Sequence, residues 1–225
     1  MRVKLMRFVF LLTCLCGLVG TSWGQPKPPP LAPLPKVAKE ADAPAPVAAP
    51  PDVIASAVAA VASLGDEVVL GRYQVAIERM NPLWKERTAN RMGGMQELEK
   101  QLAGVARMML QEGISMISFK PQGPSMSFEI GTATRVENVN GVEQQKLVAD
   151  QWLVLVPTAT KFRIQQKDKP RIIEGTGFQV AVSDKDKLNW TFIDGSNLTV
   201  NDLRSLYFTL PRDLQLPPVE KHEVR

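Results

Sequence analysis

Histidine and cysteine are almost missing from this chain, which holds one histidine and two cysteines in 225 residues. Both cysteines, Cys14 and Cys16, lie in an apolar run near the N-terminus. Once that run is removed on export, no thiol is left, which excludes disulfides, cysteine nucleophiles and thiolate metal sites. The histidine, His222, sits in a charged C-terminal stretch, "PPVEKHEVR", and reads as a solvated residue. A serine nucleophile therefore has no histidine base within the folded part, and no GxSxG motif occurs. Phosphate-cradling glycine loops are absent too, because "GTG" at 175–177 enters a strand where a fingerprint needs a helix to follow. The acidic "DKDK" at 184–187 is too rich in lysine to hold a cation. No basic block or Lys/Arg stripe interleaved with aromatics exists to track a phosphate backbone, so nucleic acid is not an expected partner.

What the chain does have begins with an export signal. Arg2, Lys4 and Arg7 make a basic start, and "FVFLLTCLCGLVG" is an apolar run of thirteen residues, too short for a hydrocarbon core that takes ~20 helical residues. Ser22 and Gly24 place small side chains at the two positions that a signal peptidase reads. We expect a signal peptide over residues 1–24, a secreted or periplasmic location and no membrane attachment after cleavage; an uncleaved anchor is the alternative. Neither cysteine follows the small residue of a lipoprotein signal, so lipidation is not expected. Cleavage removes three of the 27 basic residues, leaving 24 against 23 acids, so the sequence pI of 9.1 overstates the basicity of the mature protein.

Residues 25–51 contain ten prolines and no aromatic. Proline fixes φ and removes a donor, so this reads as an extended, disordered Pro/Ala-rich linker. A folded domain is expected over 52–216, followed by a polar tail at 217–225. Asp52 is the expected N-cap of a helix on Val53, Ala57, Val61 and Leu64 that stops at Gly65. Asp66 then caps a second helix, with Val69, Tyr73, Ala76, Ile77 and Met80 on one face and an end at Asn81-Pro82. "LWKERTANRM" is a third helix, closed by Gly93-Gly94. Beyond it Met95, Leu98, Leu102, Val105 and Met109 step by three and four, which predicts an amphipathic helix to Gly113. "MGGM" and Met108-Met109 suggest a soft copper site, but beside Leu and Val at helical spacing these methionines read as core filler. No cofactor is expected.

After Gly113 the period becomes two. "ISMISFK" is a strand, "PQGP" a turn, and "SMSFEIGTATRVENV" a longer strand with a bulge at Gly131. Asn140-Gly141 is a tight-hairpin signal, returning through "VEQQKLVADQWLVLVPTATKFRI". "GTGFQVAVS" and "LNWTFID" form a second hairpin around "DKDK", and Thr199 with Asp202 resembles a capping box that opens a short helix. The expected fold is α+β, with N-terminal helices packed against a curved antiparallel sheet.

In this order of elements the chain resembles the nuclear transport factor 2-like superfamily, the cone-shaped α+β fold of ketosteroid isomerases and polyketide cyclases. The features that carry the resemblance are "GRYQVAIERMNPLWKERT", the glycine break before "MQELEKQLAGVARMML", the long bulged strands, and "NWTFIDG" leading into a short helix. The resemblance covers residues 52–210 and rests on shape, with no catalytic motif to match. It implies a cone whose enzymes use a carboxylate or histidine base. The position of His222 disfavours the histidine version, which leaves Asp150 as the weak catalytic candidate. Strand alternation puts Val148, Asp150, Trp152, Val154 and Val156 on one face. If that face lines the cone, Asp150 is a proton-transfer base or ligand hook; the bland reading is a strand end at Ala149-Asp150 that turns the carboxylate to water.

Tyr73, Trp84, Trp152 and Phe178, with Trp190, are candidates to line a ligand cavity, and the same residues would equally close it. The leading expectation is an exported non-catalytic domain that binds a small apolar ligand or an envelope protein partner. The alternatives are an isomerase- or dehydratase-like enzyme using Asp150, and a structural envelope module with a filled core.

Overall fold

The structure, a computed structural model, describes residues 48–131, 133–139, 141–165 and 169–224. The expected signal peptide and all but the last four residues of the linker lie outside the described residues.

The first helix, α1 (Pro51–Val69), starts on a proline whose fixed φ suits the first helical position, and Asp52 lies in its first turn instead of acting as the N-cap. Val53, Ala57, Val61, Leu64 and Gly65 form its buried stripe. Gly65 does not stop the helix, as glycine there suggested. It is a contact point with β1 (Ile114–Pro121), since a Cβ on it would stand 2.4 Å from Phe119 Cδ1 and 2.8 Å from the Phe119 carbonyl oxygen. The break comes instead at Gly71, whose φ of 78° suits glycine. The second helix is therefore only the short α2 (Tyr73–Glu78). Asn81 caps α3 (Pro82–Met92) by accepting from the Trp84 N–H at 3.2 Å, and Gly93 ends it in the left-handed region. Helix α4 (Met95–Gln111) follows as its spacing predicts, with Leu98 and Met109 buried.

Two long strands, β5 (Gln151–Ile164) and β6 (Arg171–Asp184), pair antiparallel along their whole lengths and form the centre of the sheet. Along the outer side of β5 lie β1 and β2 (Met126–Ile130); along the outer side of β6 lie β7 (Thr191–Asp194) and β8 (Glu220–Val224). The long hairpin expected around Gly141 is broken twice. Its outer part, β3 (Ala133–Val139) with β4 (Val142–Val148), forms a separate two-stranded sheet. The breaks fall at Gly131 and at Ala149-Asp150, and they press together, for a Cβ on Gly131 would lie 1.8 Å from the Val148 carbonyl oxygen. Here glycine is required by a close backbone approach.

Both faces of the main sheet are covered. On one, Trp152, Val154, Val156, Ala181, Trp190 and Phe192 pack against the α1 stripe. On the other, Leu153, Leu155, Phe178, Val180 and Val182 pack with Ile193 and with Leu198, Leu203, Tyr207, Leu210 and Leu214 of the chain around α5 (Val200–Leu206). "WLVLV" and "FQVAV" are nearly continuous apolar runs because neither side of these strands meets water. The α5 capping box is formed, Thr199 Oγ1 accepting from the Asp202 N–H and the Asp202 carboxylate accepting from the Thr199 N–H.

Candidate functional site

The aromatic residues proposed from sequence do not surround one space. Trp152 is 7% exposed on the α1 face of the sheet, while Phe178, 2% exposed, lies on the other face, with half-buried Trp84 packed against the same cluster. Tyr73 belongs to neither cluster; it is half-buried at the start of α2, and burial raises its phenol pKa. Of the four, only Trp84 and Phe178 share a cluster. Trp190 is on the Trp152 side, its indole N–H donating to Ser56 Oγ of α1 at 3.0 Å. These rings account for the joining of sheet to helix and of sheet to α5.

Asp150 lies in the two-residue break between β4 and β5. Its carbonyl oxygen accepts from the Lys185 N–H at 3.0 Å. The side chain is half-buried, and Oδ1 is buried with no hydrogen-bond partner among the described residues. Around it the polar groups are spent on each other. Lys185 Nζ donates to Glu129 at 2.7 Å and stands 4.6 Å from the centre of the Trp152 ring. Gln151 and Lys187 both donate to Asp184, and these two bonds, the one from Gln151 first, hold its carboxyl below the usual carboxylate range. A strand end, the bland reading, is what the backbone adopts at Asp150, although the carboxylate is only half turned to water. Asp150→Asn is expected to leave stability unchanged or raise it by up to about 1 kcal/mol at neutral pH, because a poorly solvated, unpartnered oxygen loses its charge. Urea unfolding measures this, and a loss above about 1 kcal/mol would reveal a stabilising partner for the carboxylate.

A second polar cluster joins α3 to α5. Arg87 donates to Ser205 Oγ and to Asp202, and Arg91 reaches the same Asp202 oxygen at 3.5 Å. Burial acts to raise the Asp202 pKa, but the Thr199 bonds and the two guanidinium charges outweigh it and leave the pKa lowered. This carboxylate thus caps α5 and clamps α3 at once. Beside the clamp is an open groove of about 450 Å³ with Leu83, Arg87, Arg91 and Leu206 in its lining. Two residues beyond Leu206, the Phe208 ring is 62% exposed, while between them Tyr207 is fully buried. The Tyr207 hydroxyl makes no well-formed hydrogen bond among the described residues, and burial, opposed only by the nearby Asn81 side chain, pushes its pKa up to about 12.

The capping box at Thr199 and Asp202 was legible from four residues of sequence. Its partners were not, because Arg87 and Arg91 lie more than a hundred positions away. Nothing in the local pattern separated Phe208, outward, from Tyr207, inward. Among the described residues, no group of three or more His, Cys, Asp or Glu side chains is placed to hold a metal ion, and no helix is long and apolar enough to cross a membrane. The chain matches no protein-family model, and no curated protein or solved structure matches it.

Proposed function

We propose that the protein is an exported, non-catalytic α+β module that binds another protein of the cell envelope, with the α3/α5 groove as its contact. The helices-first order followed by an antiparallel sheet is the coarse α+β pattern on which the nuclear transport factor 2-like resemblance rests. The observation that carries the binding reading is the pairing of an open groove with an outward aromatic. Leu83, 39% exposed, lies in the groove lining with Arg87 and Arg91, which the Asp202 clamp holds, and Phe208, 62% exposed, follows the lining residue Leu206 by two positions. Small-molecule sites bury roughly 70–90% of their ligand, which a groove open along its length does poorly. An aromatic anchor with a charged rim is the composition of a protein contact.

The small-ligand alternative draws on the same four rings, which the sheet divides. The enzyme alternative rests on Asp150 alone. A photo-reactive amino acid placed at Phe208, and separately at Leu83, is expected to cross-link the full-length protein to one partner in its own cells, whereas the same group at Leu110, 77% exposed on α4, gives less of that adduct. Equal yields from all three positions, together with a rise in Tm on adding a fatty acid, would reject the groove in favour of a small apolar ligand.

A further inference from the structure

The C-terminal strand is attached in a way that no other strand of the main sheet is. All five residues of β8 are exposed, so it buries no side chain of its own. Its register runs Thr176↔Glu220, Gly175↔Lys221, Glu174↔His222, Ile173↔Glu223 and Ile172↔Val224, and among the described residues β8 pairs with no strand but β6. Two side-chain clasps add to the backbone pairing, one on each face of the sheet; the first is an ion pair and the second, through His222, is ionic only when the imidazole is protonated. Arg171 holds Glu223 through two nitrogens on the first face. On the second, Glu174 lies between Lys161 at 2.5 Å and His222 at 3.6 Å. Every side chain in these clasps is at least 32% exposed, so salt reaches them all.

The chain before the strand is built to let it move alone. Leu214 is buried and Leu216 packs against the same core cluster; from Pro218 to Val224 every residue is exposed. Pro217 and Pro218 have no backbone N–H to tie the joint down. Strand β6 keeps its β5 partner along residues 171–176 whether or not β8 is present. The contact is close at Gly175, where a Cβ would lie 3.2 Å from the Glu220 carbonyl oxygen and 3.3 Å from Lys221 Cγ, so the strand rests on a position that offers no side chain to interlock with it.

We propose that β8 is a detachable strap: it peels from β6 at the Pro217-Pro218 joint without unfolding the domain, and by closing covers the backbone edge of β6 at residues 171–176. Apolar burial sets the stability of the two core clusters, and β8 belongs to neither, so its opening equilibrium is independent of theirs. Closed, it presents Glu220, Lys221, His222 and Glu223 at the sheet edge, a charged cover of the kind that prevents edge-to-edge pairing. Open, it leaves the β6 edge beside Ile172 and Ile173 free to accept another strand.

Hydrogen exchange followed by mass spectrometry on the full-length protein tests this. Amides of residues 220–224 are expected to exchange at least about 100-fold faster than those of the paired stretch of β5 and β6, at a rate that urea below the unfolding midpoint does not alter. Raising NaCl from low concentration to 1 M, or making Glu223→Gln, is expected to speed that exchange by about two- to fivefold and leave core amides unchanged. Strap amides that exchange only together with the core would overturn the proposal, and so would a strap rate indifferent to both salt and Glu223→Gln.

Discussion

Trp152→Ala is expected to cost about 3–5 kcal/mol of folding stability, against a total of about 5–15 kcal/mol for an ordinary domain. The indole is 7% exposed and lies among Val53, Ala57, Val61 and Phe192, so its removal leaves a cavity between α1 and the sheet that neither rigid layer can collapse to fill. The ring also supports Lys185 at 4.6 Å, a contact worth about 0.5–1 kcal/mol at a partly exposed site. Urea unfolding, with Trp152→Phe as the milder comparison, measures the loss. The outcome bears on function as well as stability. A tryptophan lining a hollow cone would cost little when truncated, and an apolar ligand would restore what was lost. A fall of less than about 1 kcal/mol would therefore sink the packed-sheet account of this residue and return it to the ligand-binding candidates.

Gly65→Ala is expected to destabilise the domain by about 1–3 kcal/mol through overpacking, although alanine is the better helix former by about 1 kcal/mol. The added Cβ would stand 2.4 Å from the Phe119 ring and 2.8 Å from the Phe119 carbonyl oxygen. A ring can turn aside, but the carbonyl belongs to the β1 backbone, and β1 is held against β5 from Ile114 to Pro121. Helix and strand must then move apart, which loosens the contacts of Val61 and Leu64 on the same stripe. Gly104 is the control. It lies inside α4 with nothing within 4 Å of its Cβ position, so Gly104→Ala is expected to stabilise by about 0.4–1 kcal/mol. If both alanines raise the midpoint alike, close approach of β1 is not the reason for the glycine at 65.

These two glycines mark the boundary between local and tertiary information. The sequence alone determined the α+β class, the span of α4 from its three-and-four spacing, the stop at Gly93, the turn at Gly141 and the α5 capping box. Each of these depends on backbone preferences and on neighbours within a few positions, so the residues that decide it are adjacent in the text. Composition likewise left residues 52–216 without a thiol or an imidazole, but the expected solvated tail residue His222 is brought by folding onto the edge of the main sheet, in β8. What failed was any reading that required knowing what lies across a contact. Gly65 read as a helix stop because its value lies in the approach of Phe119 from β1; the bulge at Gly131 and the strand end at Ala149-Asp150 were legible, but not that two backbones meet there at close range and split off a separate two-stranded sheet. The facing of Trp152 and Phe178 was hidden for a different reason. Alternation assigns a side only when one face is wet, and β5 and β6 are buried on both. The Arg87–Asp202–Arg91 clamp, the outward Phe208 and the strap on β6 arise only where distant segments are brought side by side, since a charge or an aromatic ring becomes a site through its neighbours in space and not through those in sequence.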